Sequence, residues 1–328
     1  MSTPVADPLV TVIVPGRDVA PYAVEALDSL RAQTTDAWCA ILIDDGSRDA
    51  TSAIFADAAA RDPRFTLIRH GAPRGLGAAR NAGLDRVRTP FVAFLDADDV
   101  MTPTALARLI GTLTASGSDI AVGAYVRLRP DLANPESGGY TPGVVQPWVR
   151  AATDPARSGT TLAEHPDVSG NIVAWSKVSR IELWRRHALR FTEGALYEDQ
   201  IVSQLLYAHA RALDVIPDVV VHWRERADGS SITQHKDALA VLADYLEGMR
   251  GGIAVLDAAG HGSAARARVR LILDMDTPPL VRIAQTHPDA AYRRAVGEFV
   301  RELTARADFD GIVLDPDTAD LRDAAVLW

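Results

Sequence analysis

The chain has 328 residues, 48% of them hydrophobic, which supports one large buried core and one to three domains. Its formal net charge of −9 at pH 7 argues against a nucleic-acid partner, because such proteins present a basic face to the phosphates. A single cysteine, Cys39, excludes an internal disulfide framework. No secretory leader and no run of about 18 apolar residues is found, so the expected location is the cytoplasm, with peripheral contact at the inner face of the membrane allowed.

Strands are predicted at 9–14, 38–43, 65–69, 91–95 and 120–125, with helices at 22–33, 51–60, 77–86 and 104–115 between them. This alternation predicts an α/β fold with a mostly parallel sheet flanked by crossover helices. The strands read as continuously apolar, as strands covered on both faces do. Residues 129–167 break into Pro, Gly, Ser and Asp, and are expected to form a long functional loop or insertion. Regularity returns at 177–187, in a helix over 199–210 and in a strand over 215–222. From Lys236 onward the apolar spacing is helical, over 238–249, 264–272 and 291–305. The expected division is therefore a main domain over 1–235 and a helical C-terminal appendage over 236–328.

The sharpest chemical signal is an apolar strand, Phe91-Val92-Ala93-Phe94-Leu95, that ends in Asp96, Asp98 and Asp99. Ligands of open α/β sheets gather at the carboxyl ends of strands, and hard divalent ions take few carboxylates plus ligand phosphates. Capping of the helix near Thr104 explains one aspartate but not three. A second strand ends in Asp44-Asp45-Gly46-Ser47. Capping accounts for Ser47 and Asp49, whereas a carboxylate at 44 or 45 suits the imide hydrogen of a uracil base. Between these strands, residues 74–83 carry glycines and small residues that let a helix N-terminus approach a ligand. The third glycine and the position of a dinucleotide fingerprint are missing, which argues against a dehydrogenase.

Taken in order, Val12-Ile13-Val14-Pro15, Ala26-Leu27-Asp28-Ser29-Leu30-Arg31-Ala32-Gln33-Thr34, Asp44-Asp45-Gly46-Ser47, Gly77-Ala78-Ala79-Arg80-Asn81-Ala82-Gly83, Asp96-Ala97-Asp98-Asp99 and Tyr197-Glu198-Asp199 resemble the nucleotide-sugar domain of family 2 glycosyltransferases. This is an inverting group with the GT-A fold, and the resemblance covers roughly 10–233. It implies Pro15, Asp44 or Asp45, and Arg80 around the nucleoside, with Asp96 toward the ribose and Asp98 on Mn²⁺ or Mg²⁺. Where many relatives continue the first strand with a tyrosine and an asparagine, this chain has Gly16-Arg17-Asp18.

Two acids at a helix start, Glu198 and Asp199, also suit the helix dipole. Displacement at an anomeric carbon needs a base, and the resemblance gives that role to Asp199, with Glu198 positioning the acceptor. His222 closes an apolar strand and is either a half-buried side chain or, by the resemblance, a second metal ligand. Arg224 and Arg226 either neutralise a diphosphate or pair with Glu225. Arg266, Arg268 and Arg270 read as a solvated helix face, with acceptor or anionic-lipid contact as the alternative.

The expected activity is metal-dependent, inverting transfer from a UDP-linked sugar to a hydroxyl of a cell-wall polymer or polysaccharide, with a teichoic-acid-like acceptor lying across Asp199, 129–167 and Trp175. A homo-oligomer is compatible with the sequence. One rival is a nucleotidyltransferase, whose glycine-rich basic loop after the first strand is missing here. Another is a non-catalytic sugar-nucleotide-binding module, against which the presence of both Asp98 and Asp199 argues.

Overall fold

The computed structural model describes residues 7–131, 133, 139–229 and 236–328. The domain boundary expected after residue 235 adjoins 230–235, outside the described residues.

Strand β1 (Val10–Gly16) leads into α1 (Ala20–Arg31), which takes Pro21 in its first turn, where no intrahelical donor is lost. Then follow β2 (Trp38–Asp44), α2 (Thr51–Arg61), β3 (Phe65–Arg69), α3 (Leu76–Leu84), β4 (Phe91–Phe94) and the short β5 (Val100–Met101). Helix α4 (Ala105–Ser116) stops at Gly117, whose φ of +77° is the left-handed end that glycine adopts freely. Next come β6 (Ile120–Pro130), β7 (Tyr140–Pro142), α5 (Pro147–Thr153), β8 (Arg157–Thr160), β9 (Lys177–Arg180), α6 (Ile181–Arg186), α7 (Asp199–His209) and β10 (Leu213–Arg224). The remainder is helical: α8 (Leu239–Ala258), α9 (Gly262–Leu271), a π-helical turn at Ile272–Asp276, α10 (Thr277–Thr286), α11 (Ala290–Thr304) and α12 (Ala319–Val326).

The sheet runs β3-β2-β1-β4-β9-β6-β10-β5, with β7 paired to β6 and β8 to β10. From β3 to β4 the pairing is parallel, as the alternating pattern predicts. Strand β9 is antiparallel to both β4 and β6, which leaves β6 and β10 running in the same direction as β1. Strands β5, β7, β8 and β9 escape sequence reading because two to four residues, several of them polar, show no periodicity.

The segment 129–167 departs from expectation. It holds β7, α5, β8 and the start of a 3-10 turn at Pro166, and Val149, Ala152 and Leu162 are buried. Its apolar residues are sparse, and these three reach the interior while Val144 stays 74% exposed. Arg268 also departs from the solvated-face reading, being buried rather than facing water.

One apolar cluster surrounds the sheet, and a second lies among α8 to α12, where Met249, Leu280, Tyr292, Val296 and Phe299 meet. Leu256 of α8 and Ala264 and Ala265 of α9 belong to the first cluster, so the helical region shares the main core instead of hanging from it.

Close packing inside the sheet supplies a test. A Cβ added at Gly123 of β6 would lie 2.5 Å from Cγ1 and 2.7 Å from Cγ2 of buried Val220 on β10. Val220 is β-branched and cannot rotate away easily. Gly123→Ala is expected to lower unfolding free energy by about 1–3 kcal/mol, the usual cost of overpacking. The measurement is a denaturant midpoint at unchanged m-value, and an unshifted midpoint would show that the two strands separate freely.

Candidate functional site

Because β1, β2, β4, β6 and β10 run the same way, their carboxyl ends share one edge of the sheet, the edge at which open α/β sheets take ligands. Asp44 ends β2 directly beside Gly16 of β1, Asp96 to Asp99 follow β4, Arg224 ends β10, and the oppositely directed β9 begins there with Lys177. Pro15 is buried, and its carbonyl accepts the Ala97 N–H at 3.2 Å, tying β1 to the aspartate loop. A Cβ on Gly16 would lie 2.8 Å from Phe55 Cζ. Phe55 thus packs where the side chain of that residue would begin.

The two neighbouring aspartates divide their work. Asp45 Oδ1 lies 2.7 Å from His70 Nδ1, and its carboxylate accepts the N–H groups of Arg74 and Gly75, each at 2.9 Å. Both oxygens are therefore spent on the turn that enters α3. Asp44 Oδ1 accepts the Ser47 N–H at 3.0 Å, and its other oxygen makes no hydrogen bond among the described residues. Ser47 and Asp49 cap, but across loops: Ser47 Oγ accepts the Asp18 N–H at 3.2 Å, and Asp49 Oδ2 accepts the Ala20 N–H at 2.9 Å. They secure the start of α1 as well as that of α2.

Helix α3 grips the segment that leads to Glu198 and Asp199. Asn81 donates to the Phe191 carbonyl and accepts the Phe191 N–H, both at 3.0 Å. Gly77 lies against the Thr192 carbonyl, where any Cβ would collide. The small residues of this motif thus admit the protein's own backbone. Arg80, only 1% exposed, donates to Asp96 Oδ1 at 2.6 Å and to Glu198 Oε1, with its guanidinium 5.2 Å from the Phe191 ring. Burial opposes its charge, but Asp96 and Glu198 more than compensate and hold it firmly protonated. Arg80 was expected to line the nucleoside pocket. The structure instead spends its guanidinium on two carboxylates from separate parts of the chain, Asp96 after β4 and Glu198 before α7.

Asp98 carries Arg226, whose Nε and Nη2 both lie 2.8 Å from Oδ2. Arg224 is buried, donating to the Asp98 carbonyl at 2.7 Å and to Glu25 Oε2 at 2.5 Å, against the rings of Tyr140 and Tyr22. It therefore braces the aspartate loop and is not presented to a diphosphate, which leaves Arg226 nearest that role. Asp99 Oδ1 accepts the Arg224 N–H at 2.8 Å, and burial, with Asp98 and Asp96 close by, pushes its carboxyl well above the usual range.

His222 pairs with Val100 across β10 and β5. Burial lowers its pKa, and the charge that acts on it is Glu25 of α1, not Asp98. It lies on the same face of β10 as Arg224, two residues on, which also reaches Glu25. Among the described residues no three His, Cys, Asp or Glu side chains converge as a cation cage. A hard divalent ion can nevertheless be held by one carboxylate when a nucleotide's phosphates complete its shell. Asp98 fits that minimal role.

Asp199 opens α7 and makes no side-chain hydrogen bond among the described residues. Burial raises its pKa, Arg80 draws it back down, Asp96 raises it further, and Lys177 lowers it. Burial likewise pushes Glu198 up to about 7 against the pull of Arg80. Lys177 was not foreseen. It is 4% exposed, donates to Asn171 Oδ1 at 2.9 Å and to the Val173 carbonyl, and is pushed down to about 7 by burial, with Asp199 opposing. Its signal in the sequence is a lone lysine between Trp175 and Val178. Beside it, Trp175 meets Tyr125 edge-on at 4.8 Å and stacks with Trp223 at 6.4 Å.

Comparison with known proteins places this geometry. Residues 11–137 match Glycosyl transferase family 2. The chain is 29% identical over 234 residues, 71% of its length, to the uncharacterized glycosyltransferase EpsJ of Bacillus subtilis, of which the match covers 65%. It is 40% identical over 124 residues to the succinoglycan biosynthesis protein ExoO of Rhizobium meliloti, covering 37% of this chain and 35% of that one. The chain thus spans less than two thirds of the length of these relatives. Among solved structures, S. aureus TarS 1–349 in complex with UDP-GlcNAc superposes with a TM-score of 0.72 at 19% identity, covering 96% of this chain and 87% of that one. The mannosyltransferase PcManGT from Pyrobaculum calidifontis, in complex with GDP-Man and Mn2+, gives 0.54 at 18% identity, covering 99% and 81%. These likenesses establish a GT-A type fold. β1 to β4 and both aspartate-ended strands lie inside the segment that is similar to glycosyl transferase family 2.

Proposed function

We propose that the chain is an inverting glycosyltransferase that moves a sugar from a uridine diphosphate sugar to an acceptor hydroxyl of a cell-wall polymer or polysaccharide. The observation that carries this reading is the Arg80 bridge, which ties the carboxylate-ended strand of Asp96 and Asp98 to the Glu198-Asp199 pair. A nucleotide at one wall and a base at the other is the arrangement that in-line displacement requires. The UDP complexes of TarS and the polysaccharide systems named for the relatives support the donor and acceptor class. No helix among the described residues is long and apolar enough to cross a membrane.

In this reading Asp44 accepts the imide hydrogen of the base, because Asp45 is already saturated by its own loop. Asp96 faces the ribose, and Arg226 pairs with the diphosphate as it leaves Asp98. A bound Mn²⁺ or Mg²⁺ on Asp98 would supply charge stabilisation for the departing diphosphate. Asp199, free of internal hydrogen bonds, takes the acceptor proton, while Glu198 stays locked to Arg80 and fixes the height of the α7 terminus. The acceptor then lies along Asp199 and the Trp175 region. A nucleotidyltransferase is disfavoured because the loop after β1 is committed to its neighbours, with Asp18 Oδ1 accepting the Arg48 N–H at 2.7 Å.

The first test is turnover. Asp199→Asn should leave donor binding intact and lower transfer by about 10²–10⁴-fold, the usual contribution of a general base. Transfer kinetics paired with donor titration measure this, and retention of more than about a tenth of wild-type transfer would remove Asp199 as base. Wild-type turnover absent with every nucleotide sugar screened would favour the binding-module reading.

The second concerns the cation. UDP-sugar affinity should fall when Mn²⁺ or Mg²⁺ is replaced by chelator, and Asp98→Asn should abolish that difference. His222→Ala should leave it unchanged, since the charge that acts on His222 is Glu25 and not Asp98. Calorimetry in which His222→Ala matched Asp98→Asn would return the histidine to the metal.

The third concerns pH. The Lys177 ammonium lowers the Asp199 pKa, and Lys177 is itself cationic below about 7. Removing it in Lys177→Met should raise the Asp199 pKa, so the acidic limb of the transfer rate should move to higher pH. A limb that stayed in place or moved down would disconnect Lys177 from the base.

A further inference from the structure

We propose that Arg268, Asp276 and Tyr245 of the helical region are positioning residues for the base, holding the first turn of α7 through a buried polar chain that crosses between the two apolar clusters. The inference rests on the reading of Asp199 as base and adds to it a role for the C-terminal helices.

The chain can be followed atom by atom. Tyr245 Oη on α8 donates to Asp276 Oδ1 at 2.7 Å. Arg268 Nη1 on α9 lies 3.2 Å from Asp276 Oδ2, an ion pair without hydrogen-bond alignment, and its Nη2 donates to Gln200 Oε1 at 3.2 Å. Gln200 follows Asp199 directly and is fully buried. Arg268 is 3% exposed, so its charge has no solvent to fall back on and depends on these partners.

Three further contacts converge on the same turn. Tyr197 has a φ of +56°, a left-handed conformation that costs energy for an aromatic residue and persists only where the surroundings impose it. Its ring lies 4.3 Å from that of Tyr245. The preceding Leu196 N–H donates to Asp244 Oδ2 on α8 at 2.9 Å. Helix α8 comes this near because of its glycines: a Cβ on Gly251 would lie 2.5 Å from Ile201 Cδ1, and one on Gly252 3.3 Å from Gln204 Cγ. Glycine inside a helix costs about 0.5–1 kcal/mol relative to alanine, which the close approach to α7 offsets. Asp276 ends the π-helical turn between α9 and α10, an irregularity that recurs at functional sites.

The Arg80 bridge fixes Glu198 from the sheet side, and the Arg268 chain fixes Gln200 from the helical side. Asp199 is the residue between them. A displacement of about 1 Å at a reacting group costs up to about 10²-fold in rate.

The experiment uses the full chain, UDP as the binding probe, and the uridine diphosphate sugar that wild-type protein turns over fastest. Arg268→Met and Asp276→Asn should keep UDP affinity within about twofold while turnover per UDP-binding site falls about 10–100-fold. The double variant should be no worse than the poorer single one. Counting sites by titration separates positioning from mere folding, since a structural role lowers the number of sites and not the rate at each. If Arg268→Met fails to fold, Gln200→Leu, which leaves the Arg268–Asp276 pair intact, should give the same per-site loss. Per-site turnover within twofold of wild type in the folded variants overturns the proposal. Asp199→Asn measured alongside keeps the two readings apart: full turnover there sinks the base assignment, whereas its collapse beside intact Arg268→Met turnover sinks only this inference.

Discussion

The site depends on one buried cation. Arg80 is withdrawn almost completely from water and is compensated by Asp96 and Glu198, so the end of β4 and the start of α7 cannot part without leaving charge uncompensated inside the protein. Removal of one member of such a buried pair typically costs about 3–5 kcal/mol, far more than any surface ion pair here contributes. The remainder of the α3 motif serves the same closure, with Asn81 holding Phe191 in both directions and Gly77 giving way to the Thr192 carbonyl. A motif that reads as a ligand-binding helix start is chiefly a clamp between distant parts of the chain.

That clamp explains how charge is distributed around the carboxyl ends of the strands. Each arginine near the aspartate loop has an internal partner: Arg224 has Glu25 and the Asp98 carbonyl, and Arg226 has the Asp98 carboxylate. Asp199, one oxygen of Asp44 and the buried Asp99 Oδ2 make no hydrogen bond to another described residue. Groups left without internal partners in an otherwise saturated region are the ones available to a substrate. The functional assignment therefore rests less on which residue types are present than on which have been left uncommitted.

The carboxyl ends of β1, β2 and β4 were legible in the sequence because buried parallel strands read as apolar runs and each ends in a change of residue type. Glu198 and Asp199 were singled out through the family resemblance, whereas Asp96 and Asp98 were legible from the pattern alone, since acids clustered at the end of a strand exceed what capping needs. Lys177 was not, since one lysine in an apolar stretch carries no spacing from which to infer a partner. The ordered elements within 129–167 were missed because their strands are too short for any periodicity.

By itself the sequence determined the α/β class, the order of the main strands and helices, the acidic strand ends and the family they resemble, all of which are written in local pattern and chain order. Only the tertiary structure decided that Asp45 is saturated and Asp44 is not, that the charge acting on His222 is Glu25 rather than Asp98, that Arg80 and Arg224 face inward, and that Arg268 reaches across to Gln200. The reason is physical. A side chain's type is local, but whether its charge is spent depends on partners brought together over separations such as the 118 residues between Arg80 and Glu198, and no short-range pattern encodes that pairing.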